Sequence, residues 1–401
     1  MTAFSLILLL IEFLDEFVGG VVGAAWPLIR TDLGLTYAQI GLLLSVPGMV
    51  SSIIEPFLGI LGDVWKRRVL VLGGGIVFSL ACLLTAASQD FILLLLAFML
   101  YYPASGAFIS LSQATLMDIA PDRRQHNMAR WTFAGSLGVV SGPLILGVAV
   151  AAGLGWRGLI VACAGLTAAT VALAWRFPFN SKPDTLTSKR ETTLEGEAGD
   201  QRFGWETFKV GVAGAVQALR RGEVLRWLAL LWFSDLMLDV LLSFLALYCV
   251  DVVGVSPAQA TLAVAVWSGV GLAGDFLLIP LLERVPALVY LRLSVLIELL
   301  LFPAFLLVPH LGLKLVLLGL LGLFNSGWYS ILQAELYSAM PGQSGTVMAV
   351  GNVAGLVGHL IPLGLGLVAQ RWGLGVAMWL LLLGPLALLV GLPRRPSTSS
   401  G

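Results

Sequence analysis

The chain has 401 residues, of which 58% are hydrophobic and 11% charged, and its 23 basic and 23 acidic side chains balance to zero. A soluble core of this length cannot hide so much apolar surface behind so little polar exterior, so lipid has to solvate much of it. Balanced charge offers nucleic acid no attracting field, and Cys82, Cys163 and Cys249, far apart in apolar runs, fit packing residues better than a disulfide framework or a metal site.

The first apolar run starts at Phe4, has no basic segment before it and is interrupted by Glu12, Asp15 and Glu16, so it reads as a first span and not as a cleaved signal. At 1.5 Å per residue a helix needs about 20 residues to cross. Runs of that length predict spans over 4–29, 38–61, 69–88, 91–117, 127–151 and 158–177, then 225–250, 257–282, 287–308, 311–339, 346–370 and 374–392. Barrel strands would be half as long and would alternate in polarity. Between the sixth and seventh spans, 178–222 is too polar to cross, although 205–219 has the pattern of an interfacial amphipathic helix. The expectation is an all-α membrane protein: twelve transmembrane helices in two pseudo-symmetric six-helix bundles, residues 1–177 and 223–401, joined by a cytoplasmic linker over 178–222.

Basic residues partition unevenly between the loops. Lys66, Arg67, Arg68, Arg123, Arg124, Arg284, Arg394, Arg395 and the linker fall on one side, while only Arg30, Arg157, Lys314 and Arg371 fall on the other. The positive-inside rule then puts both termini in the cytoplasm, with the protein in the plasma (inner) membrane.

A repeat runs through the chain at an offset of 220. Ser110, Gln113, Ala114, Leu116 and Pro121 meet Ser330, Gln333, Ala334, Leu336 and Pro341, and, once the comparison is started one place earlier, at Thr31, the segment from Asp32 to Gln39 corresponds to that from Asp251 to Gln259. Two pairs of intramembrane carboxylates obey the same shift, Asp15 with Asp235 and Glu55 with Asp275. Parallel repeats of this kind place both first helices and both fourth helices beside a central pathway.

Carboxylates are costly in lipid, so Glu12, Asp15, Glu16, Glu55, Asp118, Asp235, Asp239, Asp275, Glu298 and Glu335 should face protein or water. Glu12 and Glu16 are four residues apart on one helical face, as are Asp235 and Asp239, and such pairs oppose double ionisation. Proton coupling is therefore expected from Asp15, Glu55, Asp235, Asp239, Asp275 and Glu335. With no Lys or Arg deep in a span, an anion would find no fixed cation, which favours a neutral or cationic solute. Further candidates for a solute cavity are Glu16, Tyr101, Tyr102, Ser110, Gln113 and Trp131 in the first half. Asn325, Trp328, Tyr329, Gln333, Asn352 and His359 join them in the second. Tying helices together is the competing role for each of these polar groups.

The loop after the second span carries Gly59, Leu61, Asp63, Arg67 and Arg68, with Lys66 where a glycine is usual, and it resembles the signature loop of the major facilitator superfamily. Two six-helix halves and a central linker extend that resemblance over nearly the whole chain. It implies alternating access, with Gly59, Asp63, Arg67 and Arg68 gating the conformational change. Gly138, Gly142, Pro143 and Gly147 look like the fifth-helix signature of drug and proton antiporters, although Tyr102 and Ser105 stand where that subgroup has arginine and glutamine. The segments from Gly34 to Gly41 and Glu55–Pro56 are similar to the fosmidomycin-resistance type of efflux carrier. The function expected is proton-coupled export of a small organic solute by a secondary transporter functional as a monomer. Its partners would be protons and membrane lipids, with no nucleic acid and no cofactor or metal. A sugar or nutrient symporter or uniporter is the alternative, and a non-transporting receptor or structural protein the one from another class. Dispersed His126, His310 and His359 and the lack of a nucleophile triad argue against an enzyme.

Overall fold

A computed structural model describes residues 2–64, 66–119, 124–177, 179, 219–340, 350–351 and 355–393, and every described segment of regular structure is helical. In chain order these are α1 (Ala3–Leu33), α2 (Tyr37–Val64), α3 (Arg67–Ala87), α4 (Phe91–Ile119), α5 (Arg124–Ala151) and α6 (Gly155–Ala174). Then follow α7 (Gly222–Asp251), α8 (Pro257–Leu282), α9 (Ala287–Leu307), α10 (Leu311–Ser338), α11 (Leu360–Trp372) and α12 (Leu374–Gly391). The linker over 180–218, with the predicted interfacial helix over 205–218, lies outside the described residues, as do Asn352 and the start of the eleventh predicted span.

Local sequence sets the helix ends. Thr2 caps α1 by accepting from the Ser5 amide, and Gly34 ends it at a φ of 61°, a conformation only glycine adopts without strain. Repeat-related boxes start α2 and α8: Thr36 and Gln39 exchange amide-to-side-chain bonds, and Ser256 and Gln259 do the same.

Among the described residues ten helices are long and apolar enough to cross a membrane. Two of the twelve expected spans are not in that number. α1 has 31 residues, ample length, but three carboxylates crowd its middle; only 13 residues of α11 are described. Lipid-facing side chains such as Leu300, 75% exposed, and Val390, 85% exposed, complete an apolar belt that water could not solvate cheaply. The protein is an all-α membrane protein.

Two faces can be told apart by the polar contacts that close them. At the terminal face Arg67 pairs with Asp118 at 2.6 Å, Arg68 donates to the Trp175 carbonyl, and Arg226 donates to the Gly391 carbonyl. At the opposite, distal face Asp32 accepts from Trp156 Nε1 and Arg157 Nε. α1 packs on α4, α5 and α6, and α3 on α4 and α6; in the second half α8 packs on α10 and α7 on α12. Contacts between α1 and α7, α2 and α11, and α5 and α8 join the two sets.

Candidate functional site

Small residues let helices close tightly both within the first half and across the join. A Cβ on Gly41 of α2 would lie 2.8 Å from the Pro362 carbonyl oxygen, and one on Gly142 of α5 would lie 2.7 Å from that of Phe17 in α1. Gly138 faces the same α1 backbone, Pro143 packs on Gly20, and Gly147 faces Thr261 of α8. The fifth-helix glycines are thus placed in the seam between α1 and α5, and Gly147 in that between α5 and α8.

Between the helices lies a cavity of about 730 Å³. α1 contributes Glu16, Gly19, Gly23 and Trp26, α4 contributes Phe98, Tyr101 and Tyr102, and α7 contributes Trp232, Asp235, Asp239 and Ser243. From the terminal side come Tyr329, Gln333 and Tyr337 of α10, with His359 of α11. Three carboxyl groups face this space, and no Lys or Arg is among the described residues lining it.

The carboxyls are held by different means. Asp235 immediately precedes a π-turn, Leu236–Val240, and Asp239 lies within it; the two carboxyls are four residues apart and both line the cavity. Asp15 sits behind the cavity wall and accepts from Ser105 Oγ at 2.7 Å. Glu55 accepts from Ser51 Oγ at 2.6 Å and packs against Gly106 of α4; its repeat partner Asp275 accepts from the Gly327 amide in α10 at 3.2 Å. The repeat seen in sequence is therefore also a repeat of contacts, second helix to fourth in each half. Glu335 is half-buried outside the lining.

Several other sequence candidates lie away from the cavity. Trp131 is buried in a separate apolar cluster with Ile7, Leu8 and Ile11. Ser110 is exposed, and Gln113 contacts Met128 Sδ at 3.6 Å, whereas its repeat partner Gln333 lines the cavity. Trp328 is fully buried and donates to Ser294 Oγ at 2.8 Å, and Asn325 donates to the Met237 carbonyl. His359 does line the cavity and is bonded to Ser52 Oγ at 3.1 Å across the contact of α2 with α11. Gly59 and Asp63 fall in the last turns of α2, where the side-chain surroundings lie outside the described residues.

Sequence reasoning missed the closure of the distal face. Asp251 Oδ2 accepts from Arg30 Nη1 at 2.7 Å and from Tyr37 Oη at 2.8 Å, the Arg30 guanidinium stacks on the Tyr37 ring, and the Tyr37 amide donates to Gln370 Oε1. Four helices, α1, α2, α7 and α11, meet in this one network. Its signal was present: Asp251 is the repeat counterpart of Asp32, but nothing local says that one pairs within its half and the other across. Among the described residues no group of three or more His, Cys, Asp or Glu side chains is placed to hold a metal ion.

A family model described as Major Facilitator Superfamily matches residues 8–363. The chain belongs to this superfamily. Membership puts it in a non-catalytic class of membrane proteins, as the dispersed histidines suggested. Over 110 residues, 27% of the chain, this superfamily member is 29% identical to the quinolone resistance protein NorA of Staphylococcus aureus, and the match spans 28% of that protein. Over 186 residues, 45% of the chain, it is 26% identical to the probable sulfoacetate transporter SauU of Cupriavidus necator, spanning 43% of it. The chain thus matches less than half the length of these curated relatives. Among solved structures it is similar to the nucleoside transporter NupG, with a TM-score of 0.72, 15% identity and 97% of each chain covered. It is similar too to a bacterial homolog of the human lysosomal transporter Spinster in an inward-facing, unoccupied conformation, with a TM-score of 0.72, 18% identity and coverage of 97% of this chain and 94% of that one. At such identities the likeness carries the fold alone.

Proposed function

We propose that the protein is a secondary transporter working by alternating access, which exports a neutral or cationic small organic solute in exchange for protons. The observation that carries this reading is the cavity shared by helices of both halves, faced by Glu16, Asp235 and Asp239 and by no Lys or Arg among its described lining. Residues 1–177 and 223–401 act as two six-helix bundles that rock about it, with 178–222 as their joint. The end of the cavity near Tyr337 is the open, cytoplasmic one, and the Arg30–Asp251–Tyr37 network seals the other. Both termini are cytoplasmic, in the plasma membrane, by the distribution of basic loops. The fifth-helix glycines support a place near drug and proton antiporters, and the segment from Gly34 to Gly41 a place near the fosmidomycin-resistance type; the match to a quinolone resistance protein agrees with export of an organic solute.

In this scheme the Asp235–Asp239 pair and Asp15 exchange a proton for the positive or polar end of the solute, while Trp26, Trp232, Tyr101 and Tyr102 offer ring faces to its apolar part. Glu55, Asp275 and Glu335 support the coupling from outside the cavity, and Gly59, Asp63, Arg67 and Arg68 move with the gate at the terminal face. Tetraphenylphosphonium flux driven by a pH gradient in proteoliposomes tests the scheme. Flux should collapse in Asp15→Asn and Asp235→Asn. Coupling and probe affinity unchanged in both variants would overturn the assignment, and flux indifferent to the gradient would leave a uniporter.

A further inference from the structure

Both halves wire their fourth helix to their first at the same level. Ser105 and Asn325 are separated by the offset of 220, as are Asp15 and Asp235. Ser105 Oγ donates to the Asp15 carboxylate, whereas Asn325 Nδ2 donates at 3.0 Å to the backbone carbonyl of Met237, two residues past Asp235. The second bond reaches backbone because α7 lacks a regular ladder there. In an α-helix the Leu241 amide would donate to Met237; here it donates to Leu236 and Leu238. The Met237 carbonyl has lost its helical donor in a buried place, and the Asn325 amide, on a residue only 4% exposed, supplies one.

The support behind Asn325 is firm. It ends the first stretch of α10, Leu311–Phe324, and its own carbonyl accepts from the Trp328 amide. Ser326 Oγ bonds the Gly271 carbonyl of α8, and Asp275 of α8 caps the Gly327 amide, so the break in α10 is pinned on both sides. An i→i+5 turn is wider and rises less per residue than a regular α-helical one, which draws together two side chains four apart, here Asp235 just before the turn and Asp239 within it, both on the cavity. Facing that pair are Glu16 of α1, Tyr102 of α4, Tyr329 of α10 and, across the cavity, His359 of α11.

We propose that Asn325 is a positioning residue for the Asp235–Asp239 pair: its amide holds the π-turn of α7, and the turn keeps the two carboxyls close enough to share one proton. The inference rests on the reading of this pair as a proton-binding group. If α7 returns to a regular helix, the Leu241 amide takes back the Met237 carbonyl, the carboxyls separate and the shared proton passes to cavity water.

The test needs no solute for its first arm. The protonated-carboxyl C=O stretch of the purified full-length protein is titrated by infrared spectroscopy across neutral pH in wild type, Asp235→Asn, Asp239→Asn, Asn325→Leu and Asn325→Gln. The Asn325→Leu titration should coincide with that of Asp239→Asn, combining these two substitutions should add nothing, and the longer amide of Asn325→Gln should restore the wild-type curve. In proteoliposomes, proton-driven tetraphenylphosphonium flux should fall roughly five- to tenfold in Asn325→Leu, the worth of one buried hydrogen bond. A wild-type titration in Asn325→Leu, whatever its melting temperature, overturns the proposal while leaving the carboxyl pair in place. Titrations unchanged in both Asp variants overturn instead the reading beneath it. Should Asn325→Leu fail to give monodisperse protein, Asn325→Ala is read by the same criteria.

Discussion

Removing the Asp251 carboxylate should unlatch the distal face. Asp251 Oδ2 holds both Arg30 and Tyr37, so Asp251→Ala removes two charge-assisted bonds between α7 and the α1–α2 corner. Their worth follows from exposure. With side chains 30% and 20% exposed, Arg30 and Asp251 keep partial contact with water, so the loss stays below the roughly 3–5 kcal/mol of a broken buried pair and above the roughly 0–1 kcal/mol of a surface one. We take about 1–2 kcal/mol, and because the bonds exist only when the distal face is closed, that population should drop about 5- to 30-fold relative to the open one. Spin labels at the exposed positions Ala152 and Val252, read by pulsed dipolar spectroscopy, report the distance between the two halves at this face. Asp251→Ala should enrich a longer distance, and adding Arg30→Ala should extend it little further. The repeat counterpart supplies the control, since Asp32 bonds Trp156 and Arg157 within its own half and Asp32→Ala should leave the distances alone. An unchanged distribution in Asp251→Ala would refute the latch.

Packing makes further claims. Gly142→Ala drives a methyl into the backbone of α1, 2.8 Å from the Val21 amide nitrogen, and should cost about 1–3 kcal/mol, whereas Gly19, with nothing within 4 Å of its missing Cβ, should accept alanine; thermal melts of the two variants should differ clearly. Glu298 is fully buried on α9 and neither of its carboxyl oxygens has a hydrogen-bond partner among the described residues, so Glu298→Leu should raise the melting temperature, by about 1–3 kcal/mol of relieved desolvation, and leave flux unchanged. A lower melting temperature would mean that the carboxyl does have a use.

Much of the site could be read before any coordinates. Asp235 and Asp239 four apart, Glu16, Tyr101, Tyr102, Tyr329, Gln333 and His359 were all named from sequence and all line the cavity. Trp131, Ser110 and Gln113 were named on the same grounds and lie elsewhere, because polarity inside a span says that a side chain avoids lipid without saying which interior it faces. Trp26 and Trp232 went unnamed for the converse reason: an aromatic ring in an apolar helix looks the same facing lipid, core or cavity.

The amino-acid order alone determined that this protein lives in a bilayer, that its spans are helices and that its second half repeats the first, since run length, cost of buried charge and a fixed offset are one-dimensional quantities. Only the tertiary structure decided that repeat-related residues do unlike jobs. Ser105 reaches a carboxylate and Asn325 a backbone carbonyl; Asp32 stays within its half and Asp251 crosses to the other. The physical reason is that a hydrogen bond is fixed by distance and direction, within about 3 Å, and neither is encoded in the position of a residue along its own helix.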